Sequence, residues 1–276
     1  MILKTEGIVL KTFDLRETSR IAILFTKEYG KVSGVLKGIR KDYKKFGSSV
    51  ERFSVNDIVY YQYRNSDLHL ISQCDLKSYF YPIRQDLKKS LAASYILELV
   101  NMIMPPEEKN DRIYRLMMDF LDSMQTVNDA SPLVHIFQIK TLAYSGFKPH
   151  LDTCLKCKAK IDAQAKFSAK EGGLVCLKCA TGDMTLESLS PGAVSSILYV
   201  ERNDWVSCLK LRLTDSVQKE LKLSEEQIKS VKELAEKQRE GFRGLRDLSS
   251  EERMAKIQER IKANETALAG VIGAEQ

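Results

Sequence analysis

The chain contains no apolar run near the eighteen or so residues that a membrane-spanning helix requires. Its opening residues, Met1-Ile-Leu-Lys-Thr-Glu-Gly, lack the basic region, apolar stretch and small-residue cleavage site of an export leader. A cytoplasmic protein is therefore expected. Histidine is scarce: His69, His135 and His150 are the only three, and they fall in separate segments. There is no G-x-x-x-x-G-K-[ST] and no H-E-x-x-H, and the regularly spaced Gly30, Gly34 and Gly38 lack the P-loop ending. The carboxylates of the first third are dispersed, whereas a Mg²⁺-dependent nuclease needs them clustered. These absences argue against an enzyme.

Cysteine is also sparse, but it is organised. Four of the six cysteines form two identical motifs, Cys154-Leu-Lys-Cys157 and Cys176-Leu-Lys-Cys179, with eighteen residues between them. Each pair can turn two thiolates toward one ion at about 2.3 Å, and the intervening Lys166-Phe-Ser-Ala-Lys-Glu-Gly-Gly-Leu-Val reads as a returning hairpin. The pattern predicts one structural Zn²⁺ per chain, closed to water and substrate. Iron in the same four-thiolate shell, two disulfides, and four unrelated buried thiols are the alternatives. Cys74 and Cys208 stand alone and read as small core residues.

The net charge of +6 is unevenly placed. From Gln218 onward twelve Lys/Arg balance twelve Asp/Glu. The excess lies in Lys31–Arg52, with Lys31, Lys37, Arg40, Lys41, Lys44, Lys45 and Arg52, and again in Lys148–Gly182, where Lys148, Lys156 and Lys158 begin a second basic segment. Two separated basic segments point to a polyanion; a solvated charged surface gives the same pattern.

Five short β-branched or aromatic runs occupy the first eighty residues: Ile8–Phe13, Arg20–Thr26, Lys31–Lys37, Asp57–Tyr63 and Leu68–Ser72. They suit a small barrel, of which the OB-fold is the form most used on single-stranded nucleic acid. After Pro82 the period changes to that of helices. One stripe comprises Leu87, Leu91, Tyr95, Leu99, Met102 and Ile103, and a second Ile113, Leu116, Met117, Phe120, Leu121 and Met124. Ser131-Pro132 reads as N-cap and first turn of a third helix through Ile136, Phe137, Lys140 and Ala143, ending at Gly146. Ser190-Pro191 starts another, so the cysteine module is an insertion between helices.

Four stretches together resemble the bacterial RecO family of DNA repair and recombination mediators. They are Glu6-Gly-Ile-Val-Leu-Lys with Arg16-Glu-Thr-Ser-Arg-Ile, Leu24-Phe-Thr-Lys-Glu-Tyr-Gly-Lys and Lys37-Gly-Ile-Arg-Lys; Tyr95-Ile-Leu-Glu-Leu-Val; Phe137-Gln-Ile-Lys-Thr-Leu-Ala-Tyr-Ser-Gly-Phe-Lys-Pro-His-Leu-Asp-Thr-Cys; and Leu189-Ser-Pro-Gly-Ala. The resemblance covers about residues 1–220. It implies a multidomain α+β protein: an OB-fold over 1–81, a helical domain in two parts, 82–150 and 183–222, and a zinc ribbon over 151–182. It also implies binding of single- and double-stranded DNA, annealing of complementary strands, and help to RecR in loading RecA onto strands coated by single-strand-binding protein. The location implied is the cytoplasm, on the nucleoid when DNA is bound.

On that basis Lys37, Arg40 and Lys41 lead the DNA-binding set, followed by Lys44, Lys45 and Arg52, with Lys11, Arg16, Arg20 and Arg64 lining the same groove. Tyr60 should face away from Tyr61 and Tyr63, with one of the two faces in the core. Arg112, Arg115, Lys140 and Lys148 are the residues expected to meet the acidic, apolar-ended tail of single-strand-binding protein. A zinc-ribbon transcription or translation factor, or a nuclease, are the competing readings. Residues 223–276 depart from the family; capping-box spacings at Ser224–Gln227 and Ser249–Glu252 predict two charged helices of unknown role there.

Overall fold

The computed structural model describes residues 1–40, 50–161, 164–181 and 186–211. The helices expected over 223–276 lie outside the described residues. The described residues divide into two compact units, one formed by 1–149 with 194–211, the other by 150–193.

The first unit opens with a closed barrel. Its strands are β1 (Ile2–Leu15), β2 (Ser19–Thr26), β3 (Gly30–Leu36), β4 (Val55–Tyr61) and β5 (Leu68–Ser78), in the OB-like order β1-β2-β3-β5-β4. Closure depends on the length of β1: its first half pairs with β4 and its second with β2, with a register shift between Val9 and Lys11 where it bends. Alternation sends Leu3, Ala22, Leu24, Val32, Leu36, Ile58, Tyr60 and Ile71 inward. The interior is tight enough to demand a glycine. A Cβ on Gly34 would lie 2.6 Å from Ile71 Cγ1. The strands run longer than the sequence signal, because the ends of β1 and β5 carry polar residues that the apolar runs do not include.

The helices follow: α1 (Tyr81–Gln85), α2 (Leu87–Ile103), α3 (Asp111–Met124), α4 (Ser131–Tyr144), α5 (Pro191–Arg202) and α6 (Trp205–Cys208). Asp86 caps α2 by accepting from the Lys88 and Lys89 amides, and Asn110 caps α3 through Ile113. The α3 stripe is buried as expected. The α2 stripe is not. The helix buries Ala93, Ile96, Leu97 and Val100, and leaves Leu87 and Leu91 74 % and 61 % exposed. This helix is apolar on more than one face, so periodicity alone could not choose which face packs. At α4 the N-cap is Ala130, with Ser131 already helical and its amide held by Asp129 Oδ1. Phe120 packs edge-on against Phe137 and Trp205, and Trp205 Nε1 donates to Ser123 Oγ.

Barrel and helices meet along the segment between α2 and α3. The Glu107 amide donates to Lys31 O, Lys31 Nζ donates to Asn101 O at 2.7 Å, and a Cβ on Gly30 (φ 65°) would lie 2.1 Å from Glu108 O. Lys31, counted above in a basic segment, is thus engaged inside the unit. Buried His69 accepts the Tyr63 amide at Nδ1, which leaves Nε2 to donate to Glu107 Oε1 at 2.8 Å.

The second unit carries a three-stranded sheet, β7-β6-β8, of β6 (Ala165–Ser168), β7 (Gly173–Cys176) and β8 (Glu187–Leu189). The expected hairpin is β6–β7. The third strand, beyond Gly182, is too short to announce itself in sequence.

Candidate functional site: a cationic barrel end and a four-cysteine cluster

Three segments converge at one end of the barrel. The β1–β2 turn (16–18) carries Arg16, β2 begins at Ser19-Arg20, and β3 ends just before Lys37. The pairs Leu15↔Ser19 and Arg20↔Leu36 bring these ends side by side, and the Arg40 amide donates to Thr18 O at 3.0 Å. Asp14 ties the group together: Oδ1 accepts from Arg20 Nε at 2.9 Å, and Oδ2 lies 3.6 Å from Arg40 Nη1. Arg16, Lys37 and Arg40 are exposed. Arg16, Arg20, Lys37 and Arg40 outnumber Asp14 and Glu17 at this end and leave it net positive, able to take up phosphates without reading bases.

The other predicted cations are placed differently. Lys11 sits 3.7 Å from Glu98 Oε1 and over the Phe13 ring, engaged with α2. Arg52 is exposed, with its carbonyl accepting from Arg84 Nη2, and Arg64 is exposed beyond β4. Lys41, Lys44 and Lys45 lie outside the described residues. Tyr60 is buried between Tyr29 and His69, and burial raises its pKa, while Tyr61 and Tyr63 are exposed.

Among the residues expected to meet a protein tail, Lys140 is a correction. It is 1 % exposed, and its ammonium donates to Val200 O at 2.9 Å and Asn203 O at 2.5 Å. These carbonyls end α5, so Lys140 caps that helix from within and offers nothing to a partner. Arg112 and Arg115 are exposed, Arg112 lying over the Tyr144 ring, and Lys148 stands 3.2 Å from Glu201 Oε2.

In the second unit the four Sγ atoms of Cys154, Cys157, Cys176 and Cys179 lie within 4.8 Å of one another. The two motifs fold alike: Lys158 N donates to Cys154 O, and Ala180 N donates to Cys176 O. Tetrahedral Zn–S bonds of about 2.3 Å place sulfurs about 3.8 Å apart, and Cys157 Sγ and Cys176 Sγ are separated by 3.7 Å. Desolvation opposes ionisation of Cys154, yet the amides of Cys157, Cys176 and Lys156 pull its thiol down to about 6. Cys179 is pushed up to about 12 by hydrogen bonds to Cys176 and Cys157. Four thiolates this close repel one another, and a cation at their centre removes that repulsion, so the donor set fits a metal ion. Val175, Ala180 and Leu186 pack beneath the site. Cys74 and Cys208 are buried elsewhere, as expected of core residues.

No helix among the described residues is long and apolar enough to cross a membrane. Comparison with known families matches residues 1–80 to "Recombination protein O N terminal" and residues 84–228 to "Recombination protein O C terminal". A curated relative named "DNA repair protein RecO" from Alkaliphilus metalliredigens is 32 % identical over 227 residues, covering 80 % of this chain and 92 % of its own. The protein of the same name from Syntrophus aciditrophicus is 28 % identical over 252 residues, 87 % of this chain and 97 % of its own. That from Caldanaerobacter subterraneus is 33 % identical over 199 residues, 72 % of this chain and 79 % of its own.

Proposed function

Because the chain belongs to the recombination protein O (RecO) family of DNA repair proteins, we propose that it binds single- and double-stranded DNA at the cationic barrel end and anneals complementary strands. The observation that carries this reading is the convergence of Arg16, Arg20, Lys37 and Arg40 at one end of the barrel, where Asp14 meets Arg20 and Arg40. Lys41, Lys44 and Lys45 extend the same segment in sequence. Annealing requires two backbones to be neutralised while base edges stay free, and cations on a barrel meet that requirement without covalent chemistry.

In the same proposal the protein acts with RecR to load RecA onto strands covered by single-strand-binding protein. The acidic tail of that protein meets Arg112, Arg115 and Lys148, with Lys140 excluded by its burial. The metal at the four cysteines is Zn²⁺, held by Cys154, Cys157, Cys176 and Cys179 as a structural ion that fastens the two motifs.

The test is incubation of complementary oligonucleotides with the protein in the absence of nucleotide and Mg²⁺. Duplex formation accelerates with strand lengths unchanged if the proposal holds. Binding without annealing supports a zinc-ribbon transcription or translation factor instead, and cleavage on adding Mg²⁺ supports a nuclease.

A further inference from the structure

Leu87 and Leu91 stand one turn apart on α2 and are exposed, and Met102 lies farther along the same face. Ala93, Ile96, Leu97 and Val100 take the opposite side and enter the core, so the packing of the described residues does not use this face. Between Leu91 and Met102 the face carries small Ser94 and then Glu98, which turns to Lys11 of β1. The apolar strip therefore lies over the first two turns. Exposed Lys88 borders it, and there is no carboxylate from Leu87 to Leu97. An amphipathic helix laid along such a strip buries it.

The place where the described residues end indicates which helix. Lys89 Nζ donates to the carbonyl of Gln125, the residue that closes α3, and Trp205 Nε1 donates to Ser123 Oγ in the last turn of α3. The start of α2 and the short helix α6 thus meet the same end of α3. The described residues stop just beyond α6, at Leu211, which packs against the core of the bundle. Residues 212–223 precede Ser224 and span up to about 40 Å when extended, more than the roughly 25 Å length of α2. From Ser224 the sequence sets Glu225 and Glu226 ahead of Ile228, Val231, Leu234 and Ala235, which recur at helical spacing. A narrow apolar stripe with carboxylates at its start complements a narrow apolar strip with a free ammonium at its start.

We propose that residues 224–235 of this chain dock as a helix on the exposed face of α2, with Ile228, Val231 and Leu234 against Leu87 and Leu91, and Glu225 and Glu226 beside Lys88. The C-terminal extension is then a cover for the helical bundle, tethered at the end of α3 where its docking face begins. It supplies the partner that the described residues do not give to Leu87 and Leu91. The inference does not depend on DNA binding, and its failure leaves the nucleic-acid reading untouched.

Amide hydrogen exchange on the full chain, read by mass spectrometry, tests it, with binding of an apolar fluorescent dye as a second readout. In the wild-type protein the amides of 226–235 exchange about tenfold or more slower than those of an unprotected chain. Leu87→Asp/Leu91→Asp abolishes that protection while exchange in α3 stays as in wild type, and Ile228→Asp/Leu234→Asp abolishes it equally. The second pair leaves every described residue intact, yet it uncovers α2 and raises dye binding; adding Leu87→Asp/Leu91→Asp removes the increase. Protection that is absent in wild type, or that survives Leu87→Asp/Leu91→Asp, overturns the inference. Wild-type dye binding in Ile228→Asp/Leu234→Asp overturns it as well, whatever the folding of the α2 variant. A wild-type dimer in sedimentation that Leu87→Asp/Leu91→Asp makes monomeric assigns the face to a second copy of the chain and also overturns it.

Discussion

Tyr114 Oη donates a 2.8 Å hydrogen bond to Glu6 Oε1, joining α3 to the first barrel strand across 108 residues of sequence. Tyr114 is buried and its ring stacks on Phe25 of β2, while Lys77 of β5 donates to the other oxygen of Glu6. A neutral donor and an ammonium thus meet one carboxylate where the barrel faces the helices. Removing the phenol leaves a partly buried carboxylate short of a partner. Tyr114→Phe is expected to cost about 1.5–3 kcal/mol in urea unfolding; an unchanged midpoint would show that water replaces the hydroxyl without loss.

The same carboxylate sets a pH dependence. Burial raises the pKa of Glu6, but the hydrogen bonds from Lys77 and Tyr114 outweigh it, and the net shift is downward from the ordinary value. The ionised form is therefore favoured more in the folded chain than in the unfolded one. Its contribution is fully present above the unfolded value of about 4.3 and is lost as pH falls through the lower folded value. Glu6→Gln should be less stable than wild type at neutral pH, with the gap closing as the solution is acidified below pH 4.3 or so. A gap that stays constant with pH would mean that the charge of Glu6 is irrelevant.

Lys140 provides a test of a buried cation whose hydrogen-bond acceptors are backbone carbonyls. Its two acceptors, Val200 O and Asn203 O, are backbone groups at the end of α5. Lys140→Met keeps much of the volume but removes the donor, and should destabilise by about 1–3 kcal/mol through the carbonyls left unpaired. If thermal melts of the variant match wild type, the cap contributes nothing.

These cases also mark how far the sequence could be read. The barrel was legible because five short β-branched or aromatic runs fall within the first eighty residues, and α3 because a single narrow stripe faces the core. The packing face of α2 was hidden: Leu87 and Leu91 fit a helical period as well as Ile96 and Val100 do, and only the neighbouring elements decide between them. Lys140 was read as a surface cation because its acceptors lie sixty and sixty-three residues further on. The cysteine cluster was legible from spacing alone, since two short motifs can close on an ion whatever surrounds them.

The tight barrel interior predicts that Gly34→Ala overpacks against Ile71. The new methyl group meets a β-branched side chain close to its backbone, and the expected cost is about 1–3 kcal/mol. Gly34→Ala combined with Ile71→Val should recover part of that loss. Recovery is absent if the clash is relieved by movement elsewhere.

At the four cysteines, elemental analysis after mild isolation is expected to give about one zinc per chain, and Cys157→Ser to lower that content sharply. Metal release should accompany acidification, because thiolate ligands must be deprotonated to bind. Chelation should increase protease cleavage within 150–193. A metal-free wild-type protein that resists protease there as well as the zinc form would show that the ion fastens nothing.

The cationic barrel end, as a phosphate-binding surface, is the feature on which DNA binding depends most. The most direct measurement is oligonucleotide binding across a salt series for wild type and Lys37→Ala/Arg40→Ala. Loss of two backbone contacts should weaken binding to duplexes of any sequence and reduce the slope of log K against log salt by about 1.8. A double variant with wild-type affinity and wild-type slope would contradict the claim.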